Sequence, residues 1–224
     1  DPPKEIGTVA KLTGTATAIR NGVSVQLNVG DKVYKSDVLE SGGNSALGVT
    51  FIDGTVFSLS SNARMVLNEM VYDPNSSSNS SLLSLVQGTI TFVAGQTAKN
   101  GNMRVDTPVA TMGIRGTTVL VKINSADGRV QLSVERDPDG KVGSFVVYDR
   151  NTGQVIGTVT REGDKTIVTP SPTPTQPATT DSVQKTQAEK VADLIIVQQI
   201  FQQFFPDVKK DPNNANPGRQ GNNG

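Results

Sequence analysis

Few side chains in this sequence are of types that do chemistry, and their spacing narrows the choice further. Carboxylates fall in two close pairs, Asp137 with Asp139 and Glu162 with Asp164, as general acid–base catalysis would need. Both pairs flank glycine in expected turns, where an acidic side chain serves to shape the loop. Asp73, Asn75, Ser77 and Asn79 alternate like the first ligands of a calcium loop. Ser78 and Ser84 then stand where such a loop needs Gly and a bidentate Glu, so a solvated loop is expected instead. Gly113 and Gly116 sit too close for a phosphate cradle, and no P-loop Lys follows them. Arg115 is expected to pair with Asp106 or Asp53 and pin two strands, rather than to recognise a ligand.

The missing residue types exclude more. With no His and no Cys, the usual N/S zinc sites, haem ligation, iron–sulfur clusters and disulfides are impossible. No imidazole is available to activate a Ser or Cys nucleophile. The expectation is a protein that is not an enzyme and takes no cofactor and no metal. Lys plus Arg is 21 and Asp plus Glu is 21, so no basic surplus is available for nucleic acid or anionic lipid. Seven Phe, three Tyr and no Trp make a poor stacking platform for carbohydrate. Apolar runs are too short for a membrane span. The start at Asp1-Pro2-Pro3, without Met, fits a chain trimmed of a signal peptide.

The elements that must position these residues are short strands. Alternation is clear over residues 8–12, 15–19 and 23–27, and each run is β-branched and closed by a turn residue. Asn21-Gly22 and Asp53-Gly54 are hairpin signals, the second joining residues 46–51 to 56–59. The same grammar continues through 82–92, 103–106, 117–123, 130–135, 144–148 and 155–160. Turn signals every eight to twelve residues predict an all-β fold, with a sandwich, a barrel or an irregular solenoid all open.

The stretch TPSPTPTQPATT at 169–180 alternates Pro with small polar residues and reads as an extended linker. An amphipathic helix is expected over 181–206, stopped by Pro206, with an apolar face of Ala188, Val191, Leu194, Ile195, Val197, Phe201, Phe204 and Phe205. Residues 207–224, rich in Asn, Pro and Gly, are expected to be disordered. Leu194, Phe201, Phe204 and Phe205 are the candidate anchors for a protein partner, or for self-docking onto the sheet.

Residues 7–123 carry an ordered series of motifs. Gly7, Gly14 and Leu27-Asn28-Val29-Gly30-Asp31 come first, followed by Ser36-Asp37-Val38-Leu39-Glu40-Ser41-Gly42. Then come Phe51-Ile52-Asp53-Gly54-Thr55-Val56-Phe57-Ser58-Leu59 and Leu85-Val86-Gln87-Gly88. The series closes on Val105-Asp106-Thr107-Pro108-Val109-Ala110, running on to Arg115-Gly116-Thr117. This set resembles the FecR-type periplasmic domain. The resemblance implies an all-β module, a twisted multi-stranded β-sandwich or solenoid-like domain, outside the cytoplasmic membrane that, in iron-uptake systems, receives a signal from an outer-membrane receptor and passes it inward to a sigma factor. It implies that Gly30, Asp31, Asp53, Gly54, Thr107, Pro108, Arg115, Gly116 and Thr117 are family-motif positions, read as structural.

The organisation expected is therefore a FecR-like β-domain over 5–123 and further hairpins over 124–168. The linker, the helix and the tail follow. The expected function is a non-enzymatic sensing or protein-interaction module in the periplasm or at the cell surface. The alternative is a structural subunit of a secreted or surface assembly, self-associating through the C-terminal helix.

Overall fold

A computed structural model describes residues 3–206 of the chain. The strands, in chain order, open with β1 Glu5–Thr13, β2 Ala16–Arg20, β3 Val23–Gln26, β4 Lys32–Tyr34, β5 Val38–Ser41 and β6 Ala46–Phe51. They continue as β7 Val56–Leu59, β8 Arg64–Val71, β9 Ser80–Gln87 and β10 Thr89–Val93. A single helical turn, α1 Gln96–Lys99, precedes β11 Met103–Asp106, β12 Ala110–Arg115 and β13 Thr118–Ile123. The remainder is β14 Val130–Glu135, β15 Ser144–Asp149, β16 Val155–Val159, β17 Asp164–Thr169, β18 Thr179–Gln184 and the helix α2 Gln187–Phe204.

These strands form two nine-stranded sheets. The first runs β18-β17-β14-β13-β10-β7-β6-β1-β4 and the second β16-β15-β12-β11-β9-β8-β5-β2-β3. In both, position in the sheet follows position in the sequence almost monotonically, so the chain advances along the sandwich while crossing repeatedly between layers. Sandwich and solenoid-like progression are thus combined in one fold, and its all-β class is the one the turn spacing predicts. Pairings are antiparallel except for β9 with β11.

Alternation along each strand sends one set of side chains into the space between the sheets. Val49, Phe57, Phe92, Val119 and Val134 are cross-strand neighbours on five successive strands, and all are fully buried. Phe51 packs on Phe57 with ring centroids 5.0 Å apart. Burying each such side chain contributes about 1.5–3 kcal/mol, which makes this layer the main source of stability.

Three expectations change. Residues 82–92 are two strands, because the chain passes from one sheet to the other at Gly88, whose φ of 88° suits glycine. The 169–180 segment does not separate the helix from the sheets. It closes a hairpin: Thr179–Gln184 pairs antiparallel with β17, and Ala178, buried, donates its N–H to Asp149 Oδ1 at 2.8 Å. The helix accordingly begins at Gln187, because Ser182 and Val183 are held in the ladder. The expected disordered tail, 207–224, lies outside the described residues.

Candidate interaction site

Helix α2 starts on a capping box. Glu189 N–H donates to Thr186 Oγ1 at 3.2 Å, and Thr186 N–H donates to Glu189 Oε1 at 3.3 Å. Lys165 on β17 donates to Glu189 Oε2 at 2.7 Å, and this bond holds the Glu189 carboxyl below its ordinary range.

From there the helix crosses the outer face of the first sheet. Under it Lys11, Gly48, Ser58, Thr91, Leu120 and Ser133 form one cross-strand row over β1, β6, β7, β10, β13 and β14. Most of these side chains are small, which lets a helix come close. Eighteen residues span about 27 Å, and the five strand steps from β17 to β6 span about 24 Å. The lengths match. Val197 and Ile200 of the helix are buried, and Phe204 fills the space at Gly48, where a Cβ would lie 2.8 Å from Phe204 Cζ.

A buried ionic cluster fastens the N-terminal half. Lys185 Nζ lies 2.7 Å from Glu135 Oε1 and 2.8 Å from Asp193 Oδ2, while Asp193 Oδ1 accepts from Lys122 Nζ at 3.1 Å. Lys185, Glu135 and Asp193 are all buried. Burial works against the charge on Lys185, but its bonds to Asp193 and Glu135 outweigh that and hold its pKa above the ordinary 10.5. Such clusters punish removal of one member more than they reward their own formation. Sequence reasoning misses all four residues. The one available signal is Asp193 itself, an acid set among apolar helix positions.

The expected apolar face of the helix is divided. Val197 faces the sheet, and so do Ile200 and Phe204. Val191, Leu194 and Ile195 stand outward, 48%, 49% and 50% exposed, although they carry the i, i+3, i+4 spacing of a docking stripe. Phe201 and Phe205, half-buried at the far end, meet edge to face at 6.4 Å. Leu194 is thus free for a partner, and Phe204 is committed to the sheet.

Ser182-Val183-Gln184-Lys185 has the Ser-x-x-Lys spacing of some acyl-transfer enzymes. Here Ser182 Oγ bonds Thr166 Oγ1 at 3.0 Å, and Lys185 is held charged between two carboxylates. A charged Lys cannot accept the Ser proton. The other candidates bond locally. Asp137 accepts from Thr118 Oγ1 and Asp139 from Lys141 N–H, both at 2.9 Å, and burial pushes the Asp137 carboxyl up. Glu162 pairs with Arg136 and Asp164 with Arg161. In the Asp73 loop, Asn79 Nδ2 donates to the Asp73 and Ser76 carbonyls, and Asp73 Oδ1 accepts from Asn75 N–H.

The family-motif residues lie at turns and sheet crossings, spread over the molecule rather than gathered. Gly30, at φ 93°, and Asp31 close the 28–31 turn, in which Asp31 Oδ2 accepts from Asn28 N–H at 2.8 Å. Asp53, buried, accepts from Thr55 N–H at 2.9 Å, with Gly54 at φ 85° completing the hairpin. Thr107 Oγ1 donates to the Ala110 carbonyl and accepts from Ala110 N–H, closing the corner that exposed Pro108 forms. Gly116 and buried Thr117 carry the chain from β12 to β13, between the sheets.

Arg115 departs from its expected pairing. Asp106 accepts from Thr111 Oγ1 and Asp53 from the Thr55 amide, so both acids already have nearer partners. The Arg115 guanidinium is exposed and lies against Gly101, with no ion pair among the described residues.

Comparison with known proteins agrees with this architecture. Residues 37–142 match the family described as FecR protein. The match takes in β14, beyond the motifs, and leaves out β1 to β4 together with Gly30 and Asp31. Two crystal structures of candidate anti-sigma factors from Parabacteroides distasonis have the same fold. One is 16% identical, with a TM-score of 0.51 over 79% of this chain and 78% of that one. The other is 15% identical, with a TM-score of 0.50 over 75% of this chain and 74% of that one. No curated protein matches the chain.

Proposed function

We propose that this chain, a FecR-family protein over residues 37–142, is a non-catalytic signalling module that works outside the cytoplasmic membrane by binding another protein on the outward face of α2. The observation that carries the reading is the stripe of Val191, Leu194 and Ile195, half exposed on a helix whose other side is spent on its own sheet. A helix apolar on two sides has one side left to cover, and the ionic cluster at Lys185 keeps that side presented rather than loose.

The family resemblance supports the rest. FecR-type modules receive signals outside the cytoplasmic membrane, and the two structures of like fold are described as candidate anti-sigma factors. Among the described residues no helix is long and apolar enough to cross a membrane. The lack of imidazole and thiol, the carboxylate pairs tied into turns and the locked Lys185 support a role without catalysis. The family-motif residues then serve the fold. The structural-subunit reading uses the same stripe with a second copy as its occupant.

A photo-crosslinking residue at Leu194, compared with one at Thr111 on the second sheet, separates these readings in cells producing the protein. The proposal expects an adduct with a different protein from position 194, recovered outside the cytoplasm, and none from position 111. An adduct only with itself supports the structural subunit. No adduct at position 194, or recovery in the cytoplasm, contradicts the proposal.

A further inference from the structure

The sandwich has four sheet edges, and they are not equally protected. At one end β16 and β18 are tied together, Thr180 Oγ1 donating to the Ile156 carbonyl at 2.6 Å. At the other end β4 is only three residues long, carries Lys32, and accepts from Arg20 Nη2 through the Lys32 carbonyl at 2.9 Å. Short length and charge are the usual devices that keep an edge from pairing. The fourth edge, β3, is also short, at four residues, but lacks the other devices. Val23-Ser24-Val25-Gln26 carries no charge, no Pro and no bulge, and all four residues are exposed.

Its hydrogen-bonding phase is fixed. Asn21 and Gly22, at φ 50° and 77°, make the two-residue turn that pairs Arg20 with Val23, and Leu27 N–H donates to the Ala16 carbonyl at 2.9 Å. Residues 23, 25 and 27 therefore bond back to β2, and the N–H and C=O of Ser24 and Gln26 face away from the sheet. Val25 lies opposite Ala18, which is fully buried, so Val23 and Val25 belong to the core-facing side. Yet Val23 is 62% and Val25 38% exposed, because β3 overhangs the facing sheet.

We infer that β3 pairs antiparallel with β3 of a second copy, about a two-fold axis through Ser24. In that register Ser24 exchanges both backbone hydrogen bonds with its counterpart, and Val23 of each copy covers Val25 of the other. The strand is uncharged, so its own copy meets no like charge across the ladder. The contact extends the second sheet and its apolar side from one molecule into the next. Four residues a side cover less than the ~800 Å² per partner of a standard interface, so the association is weak and rises with concentration. The inference is independent of α2, which lies on the other sheet.

The absence of Cys makes the test clean. A backbone-bonded antiparallel pair places its Cα atoms about 5.5 Å apart, within the range a disulfide accepts. Ser24→Cys in the full chain, oxidised over a concentration series, should form covalent dimers about tenfold faster than Asn151→Cys in an exposed turn. Val25→Lys should keep the wild-type melting temperature and abolish the concentration-dependent mass seen in sedimentation. Ser24→Cys crosslinking no faster than Asn151→Cys, or a mass indifferent to Val25→Lys, overturns the inference and leaves the edge to a strand from another protein.

Discussion

The outer face of the first sheet presents Gly48, Ser58, Thr91 and Ser133 to a helix. On the outer face of the second, Glu40 pairs with Arg64 at 2.7 Å and the Arg104 guanidinium lies over Tyr148 at 5.6 Å. Both sheets have full inner layers, so the difference is one of purpose outside the core. Long charged side chains finish a face in water, and small ones finish a face that receives another element. The Glu40–Arg64 pair on the open face is solvated, whereas the Lys185, Glu135 and Asp193 cluster under the helix is buried. Helix α2 is therefore an integral layer over the first sheet, not an appendage.

Lys185→Met should loosen the covered face most severely. It leaves the Glu135 carboxylate buried without a cation and Asp193 with Lys122 alone, at a cost of about 3–5 kcal/mol and on the order of 10 °C in melting temperature. Asp149→Asn tests the hairpin that delivers α2. Its carboxylate accepts from Ala178 N–H and from the N–H and hydroxyl of Thr152, so losing the charge should cost about 2–4 kcal/mol by thermal or urea unfolding. Gly48→Val drives a side chain into the space of Phe204 and should cost about 1–3 kcal/mol, with faster amide exchange at the C-terminal end of α2. Arg64→Ala on the open face should cost less than about 1 kcal/mol. Leu194→Asp should leave stability within about 0.5 kcal/mol, because the residue faces solvent.

The effect of pH follows from two of these groups. The Asp149 carboxyl is held below its ordinary 3.8, first by the Ala178 amide. Its contribution is complete above the unfolded value and is lost as pH falls through the lower, folded one. Lys185 is held above 10.5, so its contribution is complete below that value and is lost as pH rises through the higher, folded one. Melting temperature against pH should therefore hold a plateau between these limits. In Lys185→Met the alkaline decline should be shallower.

Legibility in the sequence follows the range of the interaction. Asn21-Gly22 and Asp53-Gly54 announce their hairpins because the required φ angles are set locally. Residues 64–71 do not read as a strand, because a register shift between Val66 and Glu69 breaks their alternation. Thr179–Gln184 has one apolar residue, and its strand state comes wholly from pairing with β17. The helix itself is legible, but the side it docks is not. Its apolar residues surround the axis, and the discriminating residue, Asp193, needs Lys122 and Lys185 from other elements before its burial makes sense. The ionic cluster is invisible for the same reason, being assembled from four separate segments.

Amide hydrogen exchange on the full chain at neutral pH tests most directly whether α2 is a layer of the fold that presents an outward stripe. The account predicts that the amides from Ile196 to Phe201 exchange within about tenfold of those in β10 and β13, since opening the helix means breaking the buried cluster beneath it. Exchange of α2 at the rate of an unpacked helix, while both sheets stay protected, would contradict it.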